Sequence, residues 1–236
     1  MNSKIKLVVS FFLSSAALVA GAAQAQTYWR LDTGFSKSTG ANIHDKNYDA
    51  NQIINGDPVE NVPGKLKDVG TAFVLGAGVG RRFTPVMRGD VTLGYRGYKL
   101  DAMDGAGSNF KGNLKSLALM VNAYYENDAA SGSWKPYIGA GLGVAQNKFD
   151  SFSGINSAGD TFTGPGGTKT GPAWAVMAGF AVPVSKAYTL DFGYRYIDLG
   201  KIEIAAGTLD AEGIAVPYDG AAGKLKAHEL FVGVRF

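Results

Sequence analysis

The chain has no cysteine, which excludes disulfide scaffolds and thiol catalysis and leaves an oxidising compartment acceptable. It lacks an excess of either charge: 23 Lys and Arg face 20 Asp and Glu, so nothing in the balance points to nucleic acid. Histidine occurs only at His44 and His228. Beyond the first 20 or so residues no window approaches 18 consecutive apolar residues, so no transmembrane helix is expected even though 46% of the chain is hydrophobic. What the chain has in excess is glycine, at 33 residues, together with 13 Phe and 11 Tyr. Glycine disfavours helices and suits strand bends and the crowded inside of a small barrel.

The N-terminus carries Lys4 and Lys6, an apolar run of about 14 residues from Leu7 to Ala20, and the small-residue pattern Ala23, Gln24, Ala25. This reads as a secretory signal peptide over residues 1–25, too short for a spanning helix. Residues 26–236 then form one mature domain. Without Lys4 and Lys6 the basic residues fall from 23 to 21 against 20 acidic ones, a net charge of +1.

The mature part repeats a two-residue period. Thr27–Ser36, Thr71–Gly80, Met87–Tyr98, Leu114–Glu126, Pro136–Ala145, Ala173–Val182, Thr189–Ile197 and Lys224–Phe236 each place apolar residues on one side and polar or small ones on the other. Four long polar connections, about 37–67, 101–112, 146–171 and 199–223, alternate with three short ones. An even number of strands of about ten residues, with long and short links in strict alternation, is the pattern of a transmembrane barrel with long outer loops and short periplasmic turns. Lipid offers no water to an open sheet edge, so such a sheet closes. The expected fold is therefore all-β, an eight-stranded antiparallel up-and-down transmembrane β-barrel.

The charges in the body of the strands lie opposite the apolar face: Arg30, Asp32, Arg88, Asp90, Arg96, Glu126, Asp191, Arg195, Glu229 and Arg235. In a barrel whose apolar face meets lipid, these ten point inward and must pair, because an unpaired buried charge costs several kcal/mol. They are expected to form a shared interior charge network, with Gly76, Gly78, Gly139, Gly141, Gly143, Gly179, Gly193 and Gly233 relieving crowding beside them. Trp29, Tyr95, Tyr125, Trp174, Tyr194 and Tyr196, with Phe236, stand toward strand ends on the apolar face, as an interfacial aromatic girdle requires.

The segments KPYIGAGLG (135–143), GYRYIDLG (193–200) and HELFVGVRF (228–236) resemble the OmpA-type and opacity-type small outer-membrane barrel superfamily of Gram-negative bacteria, over essentially the whole mature chain. Leu230, Val232, Val234 and Phe236 are similar to that family's C-terminal assembly signal. The resemblance implies recognition by periplasmic chaperones and the outer-membrane insertion machinery. It also implies contact with outer-membrane lipids, including lipopolysaccharide, and a monomeric barrel without cofactor.

Catalytic and metal readings are weak. A lipid-modifying enzyme would want a histidine beside a serine nucleophile near the outer leaflet, but the residue after His228 on its face is Leu230. Asp45, Asn47 and Asp49 begin like a calcium loop, but Ala50 and Gly56 occupy its required Gly and Glu positions. No catalytic or metal site is therefore assigned. The reading is a non-enzymatic integral outer-membrane protein that contributes to envelope structure and presents surface loops. Two alternatives stay open: a narrow small-solute pore, and an adhesin binding a host-surface ligand through loops, with Tyr48, Phe149, Phe152 and Phe162 as anchor candidates.

Overall fold

The computed structural model describes residues 27–39, 41–45, 53–54, 57–58, 64–66, 70–103, 109–127, 134–155, 159–211, 213–218 and 220–236. The leader, Tyr48, Asn47 and Asp49 lie outside them. Eight long strands build the wall: β1 (Thr27–Ser38), β2 (Thr71–Arg82), β3 (Met87–Met103), β4 (Asn109–Glu126), β5 (Lys135–Phe149), β6 (Gly167–Pro183), β7 (Thr189–Ile204) and β8 (Ala221–Arg235). Each pairs antiparallel with the next, and β8 returns to β1 in a register running from Arg30 opposite Arg235 to Ser38 opposite Ala227. The main chain of Phe236 adds two more bonds to Trp29, at 2.8 and 3.0 Å, so the terminal aromatic is tied into the closing seam.

The alternation in sequence becomes an alternation in exposure. Along β1 every second residue is buried, from Tyr28 through Arg30, Asp32, Gly34 and Ser36 to Ser38. The polar parity of each strand faces the bore and the apolar parity faces outward, the inverse of a soluble sheet. Two short turns are held by their own side chains: Thr84 Oγ1 accepts from Met87 N at 2.9 Å, and Ser185 Oγ accepts from Tyr188 N at 3.1 Å.

At the opposite end the strands run on past the limits expected from the alternation. The 101–112 connection is largely strand, because β3 continues to Met103 and β4 starts at Asn109. The 146–171 and 199–223 connections hold two further hairpin pairings, Phe152–Ile155 with Thr161–Gly164 and Gly207–Ala211 with Ile214–Tyr218. These join through Thr161–Gly164 and Gly207–Ala211, and onto β4 through Ser153 to Ile155. In the first connection Ala41–Asp45 pairs with Gly64–Leu66 and with Ala221 and Ala222 of β8. Outside the membrane both faces of a strand can be polar, so the two-residue signal fades while the backbone pairing continues.

Candidate functional site

The bore is the place where the chain concentrates its chemistry. Its periplasmic half is a lattice of ion pairs. Arg30 bridges Asp32 at 2.8 Å and Asp90 at 2.7 Å, and Arg88 meets Glu126 at 2.7 Å and Asp90 at 3.5 Å. Arg235 spans from Glu126 at 2.8 Å to Asp191 at 2.8 Å, while Arg82 from the strand end also pairs with Glu126. Tyrosines fill the gaps: the Arg88 guanidinium lies 3.7 Å from the Tyr124 ring centre, and the Tyr124 hydroxyl accepts from Arg30 at 2.8 Å. Asn122 donates to Asp90 at 2.8 Å and to Thr92 at 3.0 Å.

A second cluster stands higher, where Glu229 takes a two-pronged contact from Arg96, at 2.5 and 3.1 Å, and a third bond from Arg195 at 3.3 Å. The ten expected charges thus lie inside and paired but fall into two groups, with Glu229 in one and Arg235 in the other, where a single shared network is expected. Strand height separates them: on β8 the inward residues Phe231 and Gly233 lie between Glu229 and Arg235.

Above Glu229 the bore turns apolar. Tyr98, Leu100, Leu114, Phe149, Ile197, Leu199 and Leu225, all at most 5% exposed, pack into one cluster together with Phe152. Phe152 lies between Phe149 and Phe162, with ring centres 6.2 and 6.3 Å away. This corrects the expectation for the loop aromatics: Phe149 and Phe152 are not surface anchors but part of an apolar stopper in the outer mouth. Asn147 seals the β7 irregularity beside it, donating to the carbonyls of Leu199 and Lys201 at 2.8 and 3.0 Å.

Glycine fits this crowding unevenly. A Cβ on Gly139 would sit 2.6 Å from the Tyr124 ring and 2.9 Å from a backbone oxygen. One on Gly76 would meet nothing closer than 3.5 Å, so seven of the eight expected positions are tight and Gly76 is not.

On the outer face Trp29, Tyr95, Tyr125, Trp174 and Tyr194 are exposed, and Tyr196 is half-buried against Trp174, with ring centres 5.6 Å apart. Trp29, Tyr125 and Phe236 stand at the periplasmic rim, while Tyr95, Trp174, Tyr194 and Tyr196 lie at mid-strand because the strands continue beyond them. Tyr125 and Lys115, the first outward charge on β4, are ten residue steps apart. At roughly 3.3 Å each and a tilt of about 40°, they span roughly 25 Å, the height of a barrel's apolar band. His228 is exposed between Tyr194 and Tyr196, with ring centres 5.9 and 5.2 Å away, and takes part in a hydrogen bond with the Tyr194 hydroxyl. Leu230, Val232, Val234 and Phe236 share that outward parity on the closing strand.

Several interior residues carry no charge, so the pattern of charges along the strands does not single them out. Tyr28, Tyr98, Tyr124 and Tyr137, and Asn122, are buried in the bore. Their position on the charged parity of each strand was the signal that could have found them. Among the described residues no group of His, Asp and Glu could hold a metal ion.

A closed antiparallel barrel with an apolar outer wall, a polar filled bore and short turns at one end defines an integral outer-membrane protein. Residues 7–236 match the outer membrane protein beta-barrel domain family, and the chain belongs to it. It is an outer-membrane protein of the Gram-negative type. It is 28% identical over 142 residues to an uncharacterized protein of Brucella abortus (strain 2308), covering 52% of this chain. The chain spans 50% of the length of that relative. It is 26% identical over 190 residues to the outer membrane protein PagN of Salmonella typhimurium, covering 73% of this chain and 75% of PagN. A protein of Rickettsia conorii provisionally named an adhesin is 25% identical over 185 residues, covering 75% of this chain and 72% of that protein. In fold the chain is similar to the outer membrane protein OprG of Pseudomonas aeruginosa, with a TM-score of 0.50 at 12% identity over 90% of this chain and 97% of OprG.

Proposed function

We propose that this protein is a non-enzymatic, non-conducting barrel that contributes to the mechanical integrity of the outer membrane and holds a β-rich platform above it. The filled bore supports this reading best. Passage along it would meet the apolar stopper around Leu100, Leu114, Phe149 and Leu225, then the Arg96–Glu229–Arg195 cluster, then the lattice around Arg88 and Glu126. Water and solutes are excluded from the first by its apolar packing, and from the others by ion-paired side chains that fill the bore. The ten interior charges act in this reading as an electrostatic brace, and the outward aromatics as interfacial anchors. The first 25 residues act as a cleaved export signal. The outward residues from Leu230 to Phe236 address the chain to the insertion machinery.

The purified barrel in a planar bilayer is expected to give no stable openings, and its band on a gel is expected to shift on boiling. Stable nanosiemens openings would overturn the closed-bore reading in favour of a small-solute pore. A second reading, recognition of a host surface, is favoured by the rickettsial relative and by the outer hairpins, which offer a paired scaffold to a partner. Deleting 207–218 should then abolish binding of the purified protein to host cells while leaving the boiling-dependent gel shift intact.

A further inference from the structure

Two apolar grooves of about 580 Å³ each run along the lipid-facing wall. One is lined by Leu31, Ala77, Leu93, Tyr95 and Leu117. The other is lined by Thr33, Phe35, Ala178, Phe180, Tyr194 and Leu230, where the short side chains of Thr33 and Ala178 leave the space that the aromatics flank. What stands above each groove, on the side of the outer mouth, differs.

Above the first, Lys115 follows Leu117 outward on the same face of β4 and is bound to Asp150 at 2.8 Å, with Lys148 3.8 Å from the same carboxylate. Positive charge there is partly answered. Above the second, β8 carries His228, Lys226 and Lys224 outward from Leu230, β7 carries Tyr196, Asp198 and Lys201 outward from Tyr194, and β1 carries Lys37 opposite His228. Lys201 and Lys224 are direct cross-strand partners, and both are exposed. Like charges directly opposite each other destabilise a sheet. The nearby acid does not relieve them: Asp198 accepts from Gly200 N at 2.8 Å and lies 3.8 Å from Lys226, and among the described residues neither Lys201 nor Lys224 has an acidic partner.

A cationic pair without a counter-ion among the described residues, set over an aromatic shelf of Tyr194, Tyr196 and Trp174 and an apolar groove beneath, complements one kind of molecule. That molecule has a phosphorylated polar head and saturated chains, with the head at the interface and the chains in the hydrocarbon. We propose that the face formed by β7, β8 and β1 is a binding site for a phosphorylated glycolipid of the outer leaflet, of the lipid A type. Its phosphate bridges Lys201 and Lys224, its sugar rests against Tyr196 and His228, and an acyl chain fills the groove beside Phe35, Ala178 and Phe180. The site deepens the envelope role proposed above, since it ties the wall of the barrel to the leaflet around it.

The test compares binding of diphosphoryl lipid A and of a phosphate-free glycolipid with the same acyl chains, each presented in phosphatidylcholine nanodiscs to the full detergent-refolded barrel. Wild type is expected to prefer the phosphorylated lipid. The double variant Lys201→Gln with Lys224→Gln should bind it roughly tenfold or more weakly, the scale expected for losing two basic residues near an anionic surface. Without lipid the same variant should keep or slightly raise its gel-shift temperature, because a repulsion has been removed. The control variant Lys115→Gln with Lys148→Gln should bind lipid A within about twofold of wild type, well short of the tenfold change that 1.4 kcal/mol produces. Equal weakening in both variants overturns the site in favour of diffuse attraction by lysines, and no weakening in either overturns it outright. A barrel that conducts would overturn the closed-bore reading and leave this site standing.

Discussion

The two halves of the bore are filled by opposite chemistry within one sheet. The periplasmic half holds Arg30, Asp32, Arg88, Asp90, Glu126, Asp191 and Arg235 in mutual contact, whereas the outer half is closed by Leu100, Leu114, Phe149, Ile197, Leu199 and Leu225. Both halves are buried, yet they respond differently to change. A buried ion pair costs desolvation that its own attraction only repays when every partner is present, so it fails abruptly when one partner is lost. An apolar cluster loses contacts in proportion to the volume removed. In the closed-bore reading proposed above, the charged half braces the strands and the apolar half supplies the seal.

This contrast can be broken most sharply at the boundary between the halves. Replacing Glu229 by Leu strands the fully buried Arg96 guanidinium and removes the partner of Arg195, and is expected to destabilise the barrel by about 3–5 kcal/mol. Unfolding by urea in micelles would measure it. Adding Arg96→Leu should restore much of that loss, since an apolar pair of similar volume avoids the desolvation. A double variant as unstable as the single one would show that the cost is steric and not electrostatic.

In the outer half, Leu225→Ala removes a side chain with no measurable exposure and should cost about 2–3 kcal/mol, with no partner substitution able to rescue it. The same urea titration would decide whether the stopper yields gradually as argued. A change as large as that of Glu229→Leu would remove the distinction between the halves.

The smallest effect is expected at the solvent-accessible outer rim, where Asp150 ties Lys115 and Lys148 together. The hydrogen bond from Lys115 holds the Asp150 carboxyl below the ordinary aspartate range. Its contribution is fully present above the unfolded aspartate pKa of about 3.9 and is lost as the pH falls through the lower native value. Asp150→Asn should remove that acid-dependent part of the stability and change little at neutral pH, as surface pairs generally do. An NMR titration of the Asp150 carboxyl, and a comparison of gel-shift temperatures between pH 5 and pH 2, would check it; an unshifted carboxyl would remove the tie.

Much of this arrangement was legible before the chain folded, and the parts that were not share a cause. The parity of Arg30, Arg88, Arg96, Glu126 and Glu229 put them on one side of their strands, and the alternation of long and short links made that side the inside. Tyr124 and Tyr137 share the same parity, but a tyrosine is as much at home in an interfacial girdle as in a bore, so the sequence does not single them out. Phe149 and Phe152 sit in a stretch rich in Gly, Ser and Asp, where no period survives to show which way a ring points. The continuation of β5, which pairs Phe149 with Leu114 and Gly167, turns the first inward, and the pairing of Phe152–Ile155 with Thr161–Gly164 and β4 brings the second over the mouth.

The sequence by itself determined which residues face lipid and which face the bore, because a strand's period is two and one face had to be apolar to lie in hydrocarbon. It also determined closure, since a sheet edge has no partner in lipid. Tertiary structure decided which inward charges meet: Glu229 finds Arg96 across 133 positions of chain, and Arg235 finds Glu126 across 109. Those pairings follow from the tilt and stagger of strands around the barrel, quantities that belong to the closed sheet and to no single segment. The same closure set Lys201 opposite Lys224 above an open groove, and Lys115 beside Asp150 above the other, a difference that the spacing of charges along the chain does not contain.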